Sequence, residues 1–92
     1  MKTLDELLME YNTDIVLFRI EDEDGKAFLK WAKDNGCTWI NNKEIDVIKD
    51  YCGYHMGIGK DRTIGYIMTM IWSLEKEKPK LKFKSILTPK EV

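Results

Sequence analysis

Residues 53–66 read GYHMGIGKDRTIGY. Four glycines, a lysine and a threonine pose a choice between a phosphate-cradling loop and a turn joining two strands. A Walker-type loop needs a glycine five places ahead of its Gly-Lys pair, and ahead of Gly59-Lys60 that place holds Tyr54. The dinucleotide fingerprint, counted from Gly57, needs a third glycine where Arg62 stands. It also needs a helix to begin where Thr63-Ile64-Gly65-Tyr66 reads as strand. Both phosphate readings fail. The turn reading holds: GYHMGIG and TIGYIM are extended segments, and Lys60-Asp61-Arg62 is a polar reversal with Gly59 expected to supply the φ freedom. Period-two alternation puts Ile64, Tyr66, Met68 and Met70 on one face of the second strand.

Working outward, the stretch IMTMIWSLEKE also carries Ile67, Met70, Ile71 and Leu74 at helical spacing. The expectation is a strand giving way to a turn or short helix before Pro79. LKFKSIL (81–87) alternates Leu81, Phe83 and Ser85 against Lys82, Lys84 and Ile86, which predicts a last strand with lysines outward to discourage edge pairing. Residues 87–92 are expected to be a frayed tail.

Upstream, DIVLFRI (14–20) is β-branched, aromatic and nearly continuous in apolar character, as in a central strand covered on most of both faces. EDEDG follows, and a helix is expected to start near Asp22 to Asp24, with the carboxylates capping it. Phe28, Trp31 and Ala32, with Ala27 beside them, form its buried stripe; Lys26, Lys30 and Lys33 face water; Asn35-Gly36 supplies a left-handed cap. CTWIN is a short strand and Asn41-Asn42 a turn, while KEIDVIKDY fits either a helical turn or two or an irregular strand. At the start, TLDELLMEY is a short helix with a Thr3/Glu6 capping box and an apolar edge of Leu4, Leu7, Leu8 and Tyr11.

The fold expected is α+β: an antiparallel sheet of four or five strands packed on one side by the main helix. The short N-terminal helix, residues 1–12, lies beside the 14–86 core or reaches to a partner. With 92 residues the chain makes one domain. Its longest mostly apolar run, Ile64 to Trp72, is too short to span a bilayer, and the N-terminus has no basic-then-apolar leader, so the protein is expected in the cytoplasm of its cell. Cys37 and Cys52 lack partners at ligand spacing and read as free, partly buried thiols. The net charge of −1 hides an asymmetry: residues 1–50 carry seven Lys/Arg against twelve Asp/Glu, and residues 74–92 carry six against three.

Five features have the residue types of a functional site. Glu21, Asp22, Glu23 and Asp24 would suit a docking patch for a basic partner, but their spacing puts Ile20 and Trp31 at the first and twelfth places of a calcium loop. His55 is the only histidine, set between Tyr54 and Met56, and reads as a half-exposed strand residue rather than a general base. Ser73 and Ser85 lack a nucleophile elbow. Lys76, Lys78, Lys80, Lys82 and Lys84 with Phe83 interleaved could follow a nucleic-acid backbone and stack a base. Met70 and Trp72 sit where the strand leaves the core, a composition suited to an adaptable protein-binding surface or a homodimer seam.

The order of strand, AFLKWAKDNG, TWINNKEI, GKDRTIGY and LKFKSIL resembles a loose group of small, mostly uncharacterised proteins carried by phages and mobile elements of low-GC Gram-positive bacteria. Those show a helix ending in Gly, a Trp-containing strand and a hairpin with a D-[KR]-T-I-x-Y segment, here Asp61 to Tyr66. The matching residues are structural, so no functional residue carries over. The resemblance implies a small accessory protein, of the kind that inhibits host machinery such as a CRISPR nuclease. The reading overall is a non-enzymatic, cofactor-free protein that covers a surface on another protein, host or phage. The rivals are a nucleic-acid module using the lysine strand and a small-ligand binder with a pocket between helix and sheet.

Overall fold

In the computed structural model, which describes residues 1–87, the chain folds around β1 (Ile15–Arg19). This strand pairs antiparallel with β3 (His55–Gly59) and parallel with β5 (Lys80–Lys82). On the far side of β3 lies β4 (Thr63–Tyr66), antiparallel to it, and then the two-residue β2 (Thr38–Trp39), parallel to β4. The order β2-β4-β3-β1-β5 is a mixed, mostly antiparallel sheet, and the fold is α+β.

β1 alternates as its composition requires. Val16 and Phe18 point to one face, which carries α1 (Leu4–Glu10) and α2 (Gly25–Asp34); Leu17 points to the other. The first face holds the core. Phe18, Phe28, Trp31 and Phe83 meet pairwise with ring centroids 5.3–6.0 Å apart, most of them edge to face, the favoured aromatic geometry. This quartet fills the space between α2 and the sheet, where a ligand pocket was one expectation.

α1 starts with the full Thr3/Glu6 capping box and packs beside the core through Leu4 and Leu7 rather than reaching away. Trp31 Nε1 donates to the Lys2 carbonyl at 2.8 Å, and Asn35 Oδ1 accepts from the Leu4 N–H at 2.9 Å. α2 ends at Asn35-Gly36, with Gly36 at φ 81°, the left-handed cap read from sequence. Its start differs from expectation. Asp22–Asp24 form a 3-10 turn and Asp24 makes no side-chain cap; its carboxylate is buried instead. Lys26 and Lys33 do not simply face water: their ammonium groups donate to the carbonyls of Val47, Ile48 and Ile45, pinning the 43–50 segment to α2. That segment is irregular, neither helix nor strand, with a single turn at 47–49.

The hairpin turns at Lys60–Arg62, where the Arg62 N–H donates to the Gly59 carbonyl at 2.9 Å. The left-handed residue is Arg62, at φ 63°, not Gly59. A non-glycine residue is tolerated there because the guanidinium is held at both ends: it donates to both oxygens of Asp5 at 2.7 Å and to the Asn35 carbonyl at 2.8 Å.

Two expectations about the C-terminal third are corrected. The second hairpin strand stops at Tyr66, and α3 (Thr69–Leu74) follows, so Met68 and Met70 do not continue the strand face. Where the chain crosses back over the sheet, Ile67 packs closely on Gly57: a Cβ there would lie 3.1 Å from Ile67 Cδ1 and 3.4 Å from Leu17 Cδ2. The predicted strand over 81–87 is also shorter than expected. β5 ends at Lys82, and α4 (Lys84–Leu87) follows, because Phe83 turns into the aromatic quartet and Ile86 packs after it. The expected tail beyond Leu87 lies outside the described residues.

Candidate functional site

A helix of six residues has too few internal hydrogen bonds to be stable in water alone, so something must hold α3. Its N-cap, Met68, offers no capping side chain. The holding group is Trp72. Its ring stacks on His55 with centroids 4.4 Å apart and planes 28° apart, and Lys80 Nζ lies 5.6 Å from the ring centre. Trp72, expected on a partner surface, therefore turns one face to the sheet and is half-buried.

The rest of the helix is turned out. None of its residues is buried, yet Met68 is 70 %, Met70 67 %, Ile71 50 % and Leu74 66 % exposed. Met70, Ile71 and Leu74 on the helix, with Met68 at its N-cap, expose apolar surface of the kind that monomers seldom leave uncovered when it is contiguous. Sequence periodicity gave no warning: the same spacing that reads as an inward stripe here faces solvent, because Trp72 and Ile67 set the helix's rotation.

His55 under Trp72 is a different residue from the half-exposed one expected. It is 9 % exposed, and burial, with the Arg19 guanidinium adding repulsion, lowers its pKa. No described carboxylate pairs with it, so it lacks the orienting partner of a general base. The buried neutral imidazole has a stability consequence. A histidine whose folded pKa lies below its unfolded value leaves the unfolded chain binding more protons, so stability falls as pH drops from about 6.5 towards the folded pKa. Melting temperature should decline between about pH 7 and pH 5 in the wild type. In His55→Phe, which keeps a ring for the stack, it should stay flat over that range.

The acidic quartet is partly engaged within the chain, with Asp22 and Glu23 exposed. Arg19 Nε lies 3.6 Å from Glu21, and Lys84 Nζ lies 3.5 Å from Glu23 and 3.3 Å from Asp24. Asp24 is 6 % exposed and cannot meet a partner. Glu23 and Asp24 fasten α4, and their charge, Asp24 foremost, raises the Lys84 pKa.

The lysine run divides in the same way. Lys80 and Lys82 are exposed on the edge strand β5, and Lys76 and Lys78 are exposed before it, whereas Lys84 is paired. Phe83 is fully buried in the aromatic quartet and has no face for a base. Without its stacking ring the row is an ordinary solvated lysine edge.

Among the described residues no group of three or more His, Cys, Asp or Glu could hold a metal ion, and no helix is long and apolar enough to cross a membrane. Burial pushes the Cys37 thiol up to about 11 and the Cys52 thiol to about 12, so neither is a thiolate nucleophile at neutral pH. A larger cavity, of about 820 Å³, opens between α2 and the 43–50 segment and is lined mostly by charged side chains such as Lys30, Lys33 and Asp34. A comparison of the chain with protein families, with curated proteins and with solved structures finds no match in any of the three. The site thus rests on its geometry: an apolar helix face presented by one half-buried anchor.

Proposed function

We propose that this chain is a non-enzymatic binding protein that acts by covering a surface of another protein, with α3 as its contact. The observation that carries this reading is a six-residue helix with three exposed large apolar side chains and no buried one, preceded by an exposed methionine at its N-cap. Covering each such side chain is worth about 1 kcal/mol or more, enough for a small helix face to anchor a complex when charged residues ring it. Glu75, Lys76, Glu77 and Lys78 supply that mixed rim directly after the helix. A phage or mobile-element origin, implied by the resemblance, would make host defence machinery inside the bacterial cell the kind of target such a protein meets; a CRISPR nuclease is one concrete form.

The test is affinity capture from a bacterial host lysate, with the wild type beside a Met68→Ser, Met70→Ser, Ile71→Ser variant. The three side chains are at the surface, so the melting temperature should stay within about 2 °C. Proteins retained by the wild type should fall about tenfold or more in the variant. Equal capture by both would remove α3 as the contact. A wild type that retains nucleic acid instead, with affinity dropping steeply in salt, would replace the reading with the lysine-edge one.

A further inference from the structure

A second site, separate from α3, lies where the sheet runs out beside β2. A cavity of about 280 Å³ is lined there by Trp39, Ile40, Gly65, Tyr66 and Asp50, together with Lys43. It is below the size of pockets for drug-like ligands and fits one side chain.

Its walls are fixed before anything binds. The Trp39 and Tyr66 rings lie 5.3 Å apart at 32°, and Tyr51 continues the row 6.3 Å from Tyr66 at 30°. Each polar tip is tied down: Trp39 Nε1 donates to Asp50 Oδ2 at 2.6 Å, and the Tyr66 hydroxyl donates to the Tyr51 carbonyl at 2.7 Å. Exposed aromatic rings held this way offer contact area with little ordering left to lose. Tyr66 and Ile40 are nonetheless exposed, so the structure spends hydrogen bonds on holding surface rings still.

The lining carries one carboxylate, Asp50, and one ammonium, Lys43. Asp50 Oδ2 also accepts from the Asp46 N–H at 2.8 Å, and this bond, followed by the Trp39 indole, lowers the Asp50 pKa and keeps it a carboxylate. Among the described residues Asp50 Oδ1 accepts no hydrogen bond.

We propose that this pocket receives the guanidinium of an arginine side chain on a partner polypeptide, stacked against Trp39 and Tyr66 and hydrogen-bonded to Asp50 Oδ1. A ring face beside a carboxylate selects a cation. Of the cations available to a polypeptide, the planar, weakly hydrated guanidinium is the one that lies on an aromatic face while its N–H groups reach a carboxylate. Lys43 is the one cation in the lining and forms no ion pair among the described residues, so it acts as a like charge that the arginine must tolerate.

The inference does not rest on the α3 reading, and its test uses no partner. The Trp39 indole N–H resonance of the full chain is followed by NMR during titration with Nα-acetyl-arginine methylamide. A saturable shift is expected, with Kd on the order of millimolar for a single side chain. The citrulline analogue, which has the same shape without the charge, and the lysine analogue should bind about fivefold or more weakly. Lys43→Ala should tighten arginine binding by about twofold to threefold by removing a like charge, an effect no structural role for Lys43 would produce. Tyr66→Leu should abolish the shift. Citrulline binding as well as arginine, or no saturable shift in either wild type or Lys43→Ala, overturns the proposal. Free zwitterionic arginine binding more tightly than the capped form would overturn the assignment to a polypeptide.

Discussion

Phe83→Ala is expected to destabilise the protein by about 3–5 kcal/mol, the cost of emptying a fully buried aromatic position. Phe83 has no exposed surface and touches Phe18, Phe28 and Trp31, with ring centroids 5.8, 5.3 and 5.7 Å away. Its removal takes one ring from each of three aromatic pairs and leaves a void that rigid neighbours cannot collapse into. For a domain of this size such a loss lowers the melting midpoint by roughly 15 °C or more. The urea midpoint should move to match with little change in slope. Phe83→Leu, which refills part of the volume, should recover more than half of the loss. A Phe83→Ala protein as stable as the wild type would mean that the ring lies outside the core, and would reopen the base-stacking role the sequence offered it.

Trp72→Ala should behave differently from every other substitution on α3. The Trp72 ring is what covers His55 and what holds a helix too short to stand alone. Its loss should cost about 2 kcal/mol, less than a fully buried tryptophan because the ring is only half-buried. The specific signatures are local: amide exchange in residues 69–74 should lose its protection, and the His55 pKa should rise towards its ordinary value as burial is relieved. Partner capture should fall as well, because the apolar face is no longer presented in one orientation. Met70→Ala, in contrast, should leave stability and the His55 titration unchanged while weakening capture. An unaltered His55 pKa in Trp72→Ala would show that the stack is not what buries the imidazole.

The His55 and Trp72 pair also shows why a site can be missed from sequence. Each was read alone, one as a half-exposed strand residue and the other as a strand-end surface residue, and neither reading placed the two together. They are seventeen positions apart, and only the crossing of residues 67–79 over the second face of the sheet brings the rings within 4.4 Å. Gly57, read from sequence as part of an extended segment, lies beneath that crossing against Ile67. Asp24 and Lys84 were likewise assigned to separate surface patches, acidic and basic, although they are partners at 3.3 Å. The Trp39, Tyr66 and Asp50 pocket gave no sequence signal, since its members come from three segments brought together by the parallel pairing of β2 with β4 and the Trp39–Asp50 hydrogen bond.

Features set by neighbours in the chain were legible. The Thr3/Glu6 box, the Asn35-Gly36 stop, the apolar run of β1, the Lys60–Arg62 reversal and the α+β class each follow from backbone sterics and hydrogen bonds spanning a few residues. Those local rules alone settled that residues 53–66 turn rather than clasp an anion. Tertiary structure decided the rest: which face α3 shows, that Phe83 goes inward, and that the left-handed residue of the hairpin is an arginine held by Asp5 from fifty-seven positions away. The physical reason is that side-chain direction depends on what already occupies the space beside it. Short apolar runs with two compatible periodicities take whichever one the distant contact stabilises.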